Sequence, residues 1–554
     1  MEKLWEITIG DLLDSMADKY ADHECVIYYD RPFRKTYGEF RDLVNLTAKG
    51  FLKMGIKKGD HISIWSINYP EWLLTMFAAA KIGAVLVTVN TNYKIFEAEY
   101  LLRQSDTHTL VFINGFKDTN YLEIMNSLVP ELAGTRPGEW TSQMLPHLKN
   151  LIFIGEEKPD GMYNWEQLYE MGRTVSDEEL AAVQSSLNVH DAINMQYTSG
   201  TTGFPKGVML THHNIVNNGK SIGDRMNFTE KDRLCIPVPL FHCFGCVLGV
   251  MACVTHGTTM VPVDYFQPLK VIQTVSGEKC TAVHGVPTMF IAMMEHPEFK
   301  NYSFEHLRTG IMAGSPCPVK VMQQVVDEMN MREITIVYGL TEASPGCTQT
   351  TTTDSIDLKV STVGRAFPYV ECKVVNPETG EECPPNVPGE FLARGYNIMK
   401  GYYKMPEATA QAIDEHGWLH TGDIAICDEK GYYKITGRIK DMIIRGGENI
   451  YPKEIEEFLY THPLITDVQV VGVPSREYGE EVMAYIILKE GAQLTTEEVR
   501  EFTKERLARH KVPKYVAFID GFPMTASGKI QKYKLREDAI NALDLQDSAA
   551  IETA

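Results

Sequence analysis

"HISIWSINYPEWLLTMFAAAKIGAVLVTVN", residues 61–90, decides the fold class. Its first part, His61 to Ile67, is a short apolar run that reads as a strand. "PEWLLTMFAAAKIG" follows, with Pro70 where a helix can begin and Gly83 where one can end. "VLVTVN", Val85 to Asn90, is a second strand, and "TLVFI" (109–113) and "LIFIG" (151–155) continue the pattern. Near-continuous apolar strands alternating with helices indicate a parallel sheet covered on both faces. The expected class is α/β: a large N-terminal domain with parallel-rich sheets covered by helices, plus a small mobile C-terminal α+β domain.

The texture changes after "YYKITGRIKDMIIRGGENIYP". "YPKEIEEFLYTHP" places Ile455, Phe458 and Leu459 at helical spacing behind Pro452. "DVQVVGV" and "EVMAYIIL" read as strands, and Thr495 with Glu498 forms a capping-box pattern. The expected boundaries are 1–438 for the N-terminal domain, 439–441 for a hinge and 442–554 for the mobile domain.

The chain has 554 residues, 53 Lys+Arg against 73 Asp+Glu and a net charge of −20. That balance argues against a binder relying on a general basic face for nucleic acid, and an anionic ligand must be held by local groups. "MEKLWEITIGDLLDSMADKY" has no uninterrupted apolar core of a signal peptide. Lys81 interrupts one apolar stretch and "GCVLGVMACVTHG" is too short to span a bilayer. Eleven scattered cysteines fit reduced thiols and a cytoplasmic location. Cys243 and Cys246 form a lone C-x-x-C, read as part of a small-residue core segment.

"YTSGTTGFPKG", Tyr197 to Gly207, concentrates hydroxyls, glycines and one lysine. No Walker spacing and no G-x-G occurs, so the common nucleotide fingerprints are absent. Gly200, Gly203 and Gly207 let backbone amides approach a ligand. Thr198, Ser199, Thr201 and Thr202 add donors, and Lys206 adds charge. An oxygen-rich polyanion such as polyphosphate suits this set.

The same stretch closely resembles the phosphate loop of the adenylate-forming superfamily of acyl-CoA synthetases, luciferases and peptide-synthetase adenylation domains. "PLFHCFG" at Pro239, "YGLTE" at Tyr338, "GEFLARG" at Gly389, "GWLHTGDIA" at Gly417, "GRIKDMIIRGGENIYPKEIE" at Gly437 and "PMTASGKIQK" at Pro523 follow in the family's order. The resemblance, which is strongest to medium-chain fatty-acyl-CoA synthetases, implies a two-step reaction. A carboxylate first attacks the α-phosphorus of ATP and expels pyrophosphate; a thiol then displaces AMP. The attacking carboxylate is already ionised near neutral pH, so the site needs charge stabilisation rather than a general base.

The resemblance also implies roles. Thr198, Ser199, Gly200, Thr201, Thr202, Gly203 and Lys206 hold the β- and γ-phosphates. Thr341 contacts the α-phosphate and Glu342 holds Mg2+. Tyr338, with Gly339, faces adenine, with Gly314, Ser315 and Pro316 on the other side. Asp423 and Arg438 contact ribose. His242 guards the carboxylate site, and Lys529 bridges the acyl carboxylate and α-phosphate. Lys440 is the hinge position, and Gly446, Gly447 and Glu448 line the coenzyme A side. Arg445, Lys453 or the C-terminal lysines are candidates for CoA phosphates. His416 and His420 lack the glutamate of a zincin motif.

The expected co-substrates are ATP with Mg2+, coenzyme A and a small carboxylic acid. No carrier-protein domain follows "KIQKYKLRE", which favours free CoA, and no aspartate in "PLFHCFG" meets a substrate ammonium. "MACVTHG" and "HGVPTMF" are candidates for an apolar wall. A medium- to long-chain fatty acid is the expected substrate. An aryl or cinnamate-type acid, or a non-catalytic nucleotide-binding protein, is the alternative. The assembly is left open, a homodimer included.

Overall fold

The computed structural model describes residues 3–198, 205–314, 319–445, 448–475, 478–504, 507, 509–525 and 530–546, with only the backbone of 448 and 449. His61–Trp65 and Val85–Thr88 are parallel strands, His61 opposite Val85 and Ile64 opposite Thr88. Between them runs the helix Pro70–Ile82, with proline in its first turn, where a missing N–H breaks no helical hydrogen bond. Gly83, at φ 73°, closes the helix in the left-handed region, which only glycine enters without steric cost. The helix is apolar on almost every face, so it must be covered all round. Every residue from Trp72 to Ile82 is buried, Lys81 included. The Lys81 ammonium is met by Asp14, Nζ to Oδ1 at 2.5 Å.

The chain forms two compact units, Met1–Cys372 with Ala393–Leu419, and Lys373–Leu392 with His420–Ala554. The first contains two large sheets. The eight-stranded sheet runs Gly401–Tyr402, Lys206–Thr211, Ala192–Thr198, Val85–Thr88, His61–Trp65, Thr109–Phe112, Asn150–Phe153, Tyr163–Asn164. All its neighbours are parallel from Ala192–Thr198 onward. The nine-stranded sheet has a parallel centre, Thr335–Gly339, Thr309–Met312, Ala282–Gly285, Arg233–Ile236, Thr259–Pro262, Glu24–Ile27. One apolar core takes Ile62 and Ile64 from the first sheet, Leu234 and Ile236 from the second, and Leu73, Phe77, Val216 and Ile222 from helices. The parallel-rich α/β expectation agrees with this architecture.

In the second unit, Ile465–Ser475 and Gly479–Leu488 form a long antiparallel pair, and Tyr515–Phe518 joins it in parallel. The helix Pro452–Leu459 starts at its proline and buries Ile455 and Leu459. Phe458 stacks on Phe502 at 4.9 Å. Thr495 Oγ1 accepts from the Glu498 N–H at 3.3 Å, and the Glu498 carboxylate accepts from the Thr495 N–H at 2.8 Å. The capping box is formed as the spacing predicts. No helix among the described residues is long and apolar enough to cross a membrane.

Candidate active site

The loop singled out by its hydroxyls joins two antiparallel strands, Ala192–Thr198 and Lys206–Thr211, with Thr198 opposite Lys206. Residues Ser199, Gly200, Thr201, Thr202 and Gly203 lie outside the described residues, so the structure places the stem and not the cradle. One helix, Ile95–Gln104, grips both ends of that stem. The Tyr100 hydroxyl donates to the Pro205 carbonyl at 3.0 Å. Gln104 accepts from the Tyr197 hydroxyl and donates to the Tyr403 carbonyl at 2.9 Å.

The second strand end is Thr335–Gly339, in the nine-stranded sheet. Tyr338 pairs with Thr348 of the returning strand Gly346–Gln349. Gly339 has no room for a side chain, since a Cβ would stand 1.8 Å from the Pro345 carbonyl oxygen. The strand therefore breaks into the one-turn helix Thr341–Ala343, with Thr341 buried. Glu342 is held at its main chain by the Met399 N–H, 2.8 Å from its carbonyl oxygen. Its side chain is held by Tyr402, whose hydroxyl donates to Oε1 at 2.8 Å. The face of the same Tyr402 ring receives the Lys206 ammonium, Nζ 4.9 Å from the centroid. Burial, then the neighbouring carboxylate, holds the Tyr402 phenol far above its ordinary pKa. A cation from a strand of one sheet and a carboxylate from the turn after a strand of the other thus converge on one tyrosine.

His242 stands two residues before the π-helix Phe244–Met251, a form that gathers at functional sites. Its Nδ1 accepts from the Phe244 N–H at 3.2 Å. The two following cysteines are buried and share one partner, Gln196. Cys243 Sγ donates to Gln196 Oε1 at 2.8 Å, and Gln196 Nε2 donates to Cys246 Sγ at 3.2 Å. Burial pushes the Cys246 thiol up to about 12, so it stays protonated and unreactive. Gln196, two residues before Thr198, thereby ties the loop's entering strand to the helix that follows His242.

Asp423 and Arg438 both belong to the second unit. They stand opposite one another on antiparallel strands, and Arg438 Nε meets Asp423 Oδ1 at 2.9 Å. Asp423 is buried, whereas half of the Arg438 side chain is exposed. The preceding turn is fixed by Glu390, which accepts from the Gly422 N–H at 3.1 Å and pairs with His420 at 3.0 Å.

Residues 13–403 match the AMP-binding enzyme family, and 454–529 match the AMP-binding enzyme C-terminal domain. The chain belongs to the AMP-binding enzyme family. It is 55% identical over 548 residues to "Putative acyl-CoA synthetase YngI" of Bacillus subtilis (strain 168), covering 99% of this chain and 100% of the relative. It is 40% identical over 545 residues to the mitochondrial medium-chain acyl-CoA ligase ACSF2 of Bos taurus, covering 97% and 88%. The crystal structure of ATP-bound MatB from Rhodopseudomonas palustris superposes with a TM-score of 0.82 at 26% identity, covering 97% of this chain and 100% of that one. With these relatives, the chain is an AMP-forming acid–CoA ligase whose reactants are ATP with Mg2+ and CoA.

Within this family member, Lys206, Thr341, Glu342, Tyr338 and Gly339 lie in the first unit, at or beside strand ends. Gly314, at φ 88°, follows Thr309–Met312. Ser315, Pro316, Gly446, Gly447, the Glu448 side chain and Lys529 lie outside the described residues. Lys440 sits in the single turn Ile439–Asp441. Arg445 is bound to the buried Glu481, Nε to Oε2 at 2.6 Å, and stacks on Tyr478 at 4.3 Å; Lys453 donates to the Ile435 carbonyl at 2.6 Å. Tyr402, Gln196, Tyr100 and Gln104 escape sequence reasoning. Tyr402 follows Glu342 by sixty positions, and only strand pairing brings it to Lys206.

Proposed function

We propose that the protein joins a medium- to long-chain fatty acid to CoA in the cytoplasm, through an acyl-adenylate. One observation carries this reading: Lys206 and Glu342 converge on Tyr402 at the foot of the loop, a cation and a carboxylate where a polyphosphate and its metal need them. Glu342 is a hard oxygen donor, which fits Mg2+. Mg2+ would supply positive charge at the transferring phosphoryl group.

The chain's own groups divide the task. Lys206 meets phosphate oxygens as a point charge, and Thr341 offers a hydroxyl at the α-phosphate. Tyr338 and Gly314 lie against adenine, and Asp423 with Arg438 holds ribose. Lys529 steers the acyl carboxylate toward phosphorus. These groups offset repulsion between two anions and orient them, which is most of the barrier in such transfers. No proton has to be removed from the acid. His242, fixed by the Phe244 N–H, guards the carboxylate site. Residues 439–441 act as the hinge between 1–438 and 442–554, letting Lys529 leave and the Gly446–Gly447 segment with Glu448 serve the thiol.

The fatty-acid class draws support from the similarity to medium-chain ligases. A chain-length series of acids tests it by CoA- and ATP-dependent thioester formation, octanoate set against coumarate. Octanoate and its neighbours are expected to win. Preference for coumarate would turn the reading to an aryl-acid ligase. Absence of carboxylate-dependent pyrophosphate release across the panel would leave a non-catalytic nucleotide binder. Sedimentation in the same buffer separates monomer from homodimer. Lys529→Ala is expected to cripple adenylate formation while sparing thioester formation from supplied acyl-adenylate; equal losses would remove its role.

A further inference from the structure

The strand Gly401–Tyr402 is two residues long yet held from several directions. Tyr402 pairs with Val208 and Gly401 with Met209. The Tyr403 N–H donates to the Gly207 carbonyl at 2.8 Å, and the Lys400 N–H to the Met209 carbonyl at 2.9 Å. The Met399 N–H reaches across to the Glu342 carbonyl at 2.8 Å. This segment therefore sets the spacing between the strand leaving the phosphate loop and the turn that carries Glu342. Tyr402 is the side chain that fills the space, buried with its hydroxyl on Glu342 Oε1 and its ring face under Lys206.

Opposite charges at partly buried positions attract by several times their value in water. An ion pair between Lys206 and Glu342 would be one that substrate binding has to break. Among the described residues neither has an ion-pair partner. Each instead meets a part of Tyr402 that holds it without neutralising it. The ring's negative face attracts an ammonium, and a phenol donates a charge-assisted hydrogen bond to a carboxylate. With Oε1 occupied by the phenol, the other carboxylate oxygen is the one left to meet a cation. One carboxylate oxygen plus water suits Mg2+, whereas larger cations more readily take both.

Resting on the adenylation reading above, we propose that Tyr402 is a positioning residue that keeps Lys206 and Glu342 apart and oriented, so that Mg2+ and the phosphates of ATP find both charges unpaired. The proposal goes beyond the phosphate loop and metal-binding glutamate by assigning a separator between them.

Calorimetric titration of the full chain with ATP, at a series of Mg2+ concentrations, tests it. Tyr402→Phe keeps the ring and removes the hydroxyl. It is expected to raise the Mg2+ concentration for half-maximal tightening of ATP about tenfold, with metal-free ATP binding unchanged. Tyr402→Leu removes the ring as well and is expected to weaken metal-free ATP too, as Lys206 closes on Glu342. In a Glu342→Gln background, Tyr402→Phe is expected to add nothing, which a packing role alone would not produce. A parental Mg2+ response in Tyr402→Phe, or an undiminished effect in the Glu342→Gln background, overturns the proposal. Should Tyr402→Leu fail to fold, the phenylalanine arm decides alone. A parent that binds no ATP at any Mg2+ concentration sinks the adenylation reading itself, and this proposal with it. That outcome is distinct because every variant is then silent.

Discussion

At Gly339 the backbone comes within contact of the Pro345 carbonyl oxygen, 1.8 Å from where a Cβ would stand. That close approach turns the chain so that Thr341 and Glu342 leave the strand end together. Gly339→Ala is expected to destabilise the protein by about 1–3 kcal/mol, the usual cost of overpacking. Adenylate formation should fall further, by about a hundredfold, because displacing a positioned group by an ångström costs that much. Unfolding curves beside pyrophosphate release check the pair of numbers. The residue identities at this site are legible as a motif. Their partners are not, because Tyr402 is chosen by strand register and no spacing along the chain announces it.

At the scale of elements, the helix Pro70–Ile82 is legible end to end, since Pro70 and Gly83 act through local backbone geometry. What its sequence hides is the partner of Lys81. The ammonium is buried and meets Asp14, from the first helix, Ile9–Lys19. Burial moves the Lys81 pKa below its usual range, against the pull of Asp14. Removing the carboxylate by Asp14→Ala leaves a charge without compensation and is expected to cost about 3 kcal/mol. Replacing both, Asp14→Leu with Lys81→Met, should recover most of it; denaturant midpoints of the two variants make the comparison. The C-x-x-C segment shows the same division. Its burial follows from small apolar neighbours, but Gln196 is supplied by a strand forty-seven residues away from Cys243.

For the whole molecule, two buried histidines set an acid limit. Burial lowers the pKa values of His212 and His284 to about 4, against an ordinary value near 6.5. The unfolded chain therefore takes up protons in that interval that the fold refuses. Their contribution is complete above pH 6.5 and is lost as pH falls toward 4, on the order of 3 kcal/mol each. His212 Nδ1 accepts from the Ile9 N–H at 3.1 Å, an acceptor that asparagine can imitate. His212→Asn is expected to flatten the fall of the urea midpoint between pH 6.5 and 4 relative to the parent. The proposed hinge is tested at this scale as well. Lys440→Pro restricts the backbone at one position and should slow one half-reaction at least about tenfold more than the other; unchanged rates in both remove the hinge from the mechanism.

Local rules determined the strand–helix–strand alternation, the proline starts and glycine stops, the capping box at Thr495, and the chemistry of a hydroxyl-rich loop with one lysine. Each depends on backbone angles or side-chain types within a few residues, so it survives in a linear string. Tertiary structure alone decided that Lys206, on a strand of one sheet, and Glu342, in the turn after a strand of the other, share Tyr402, and that Gln196 joins the loop to the helix after His242. Those contacts depend on register between strands far apart in the chain, where a shift of one residue would turn the side chain to the opposite face.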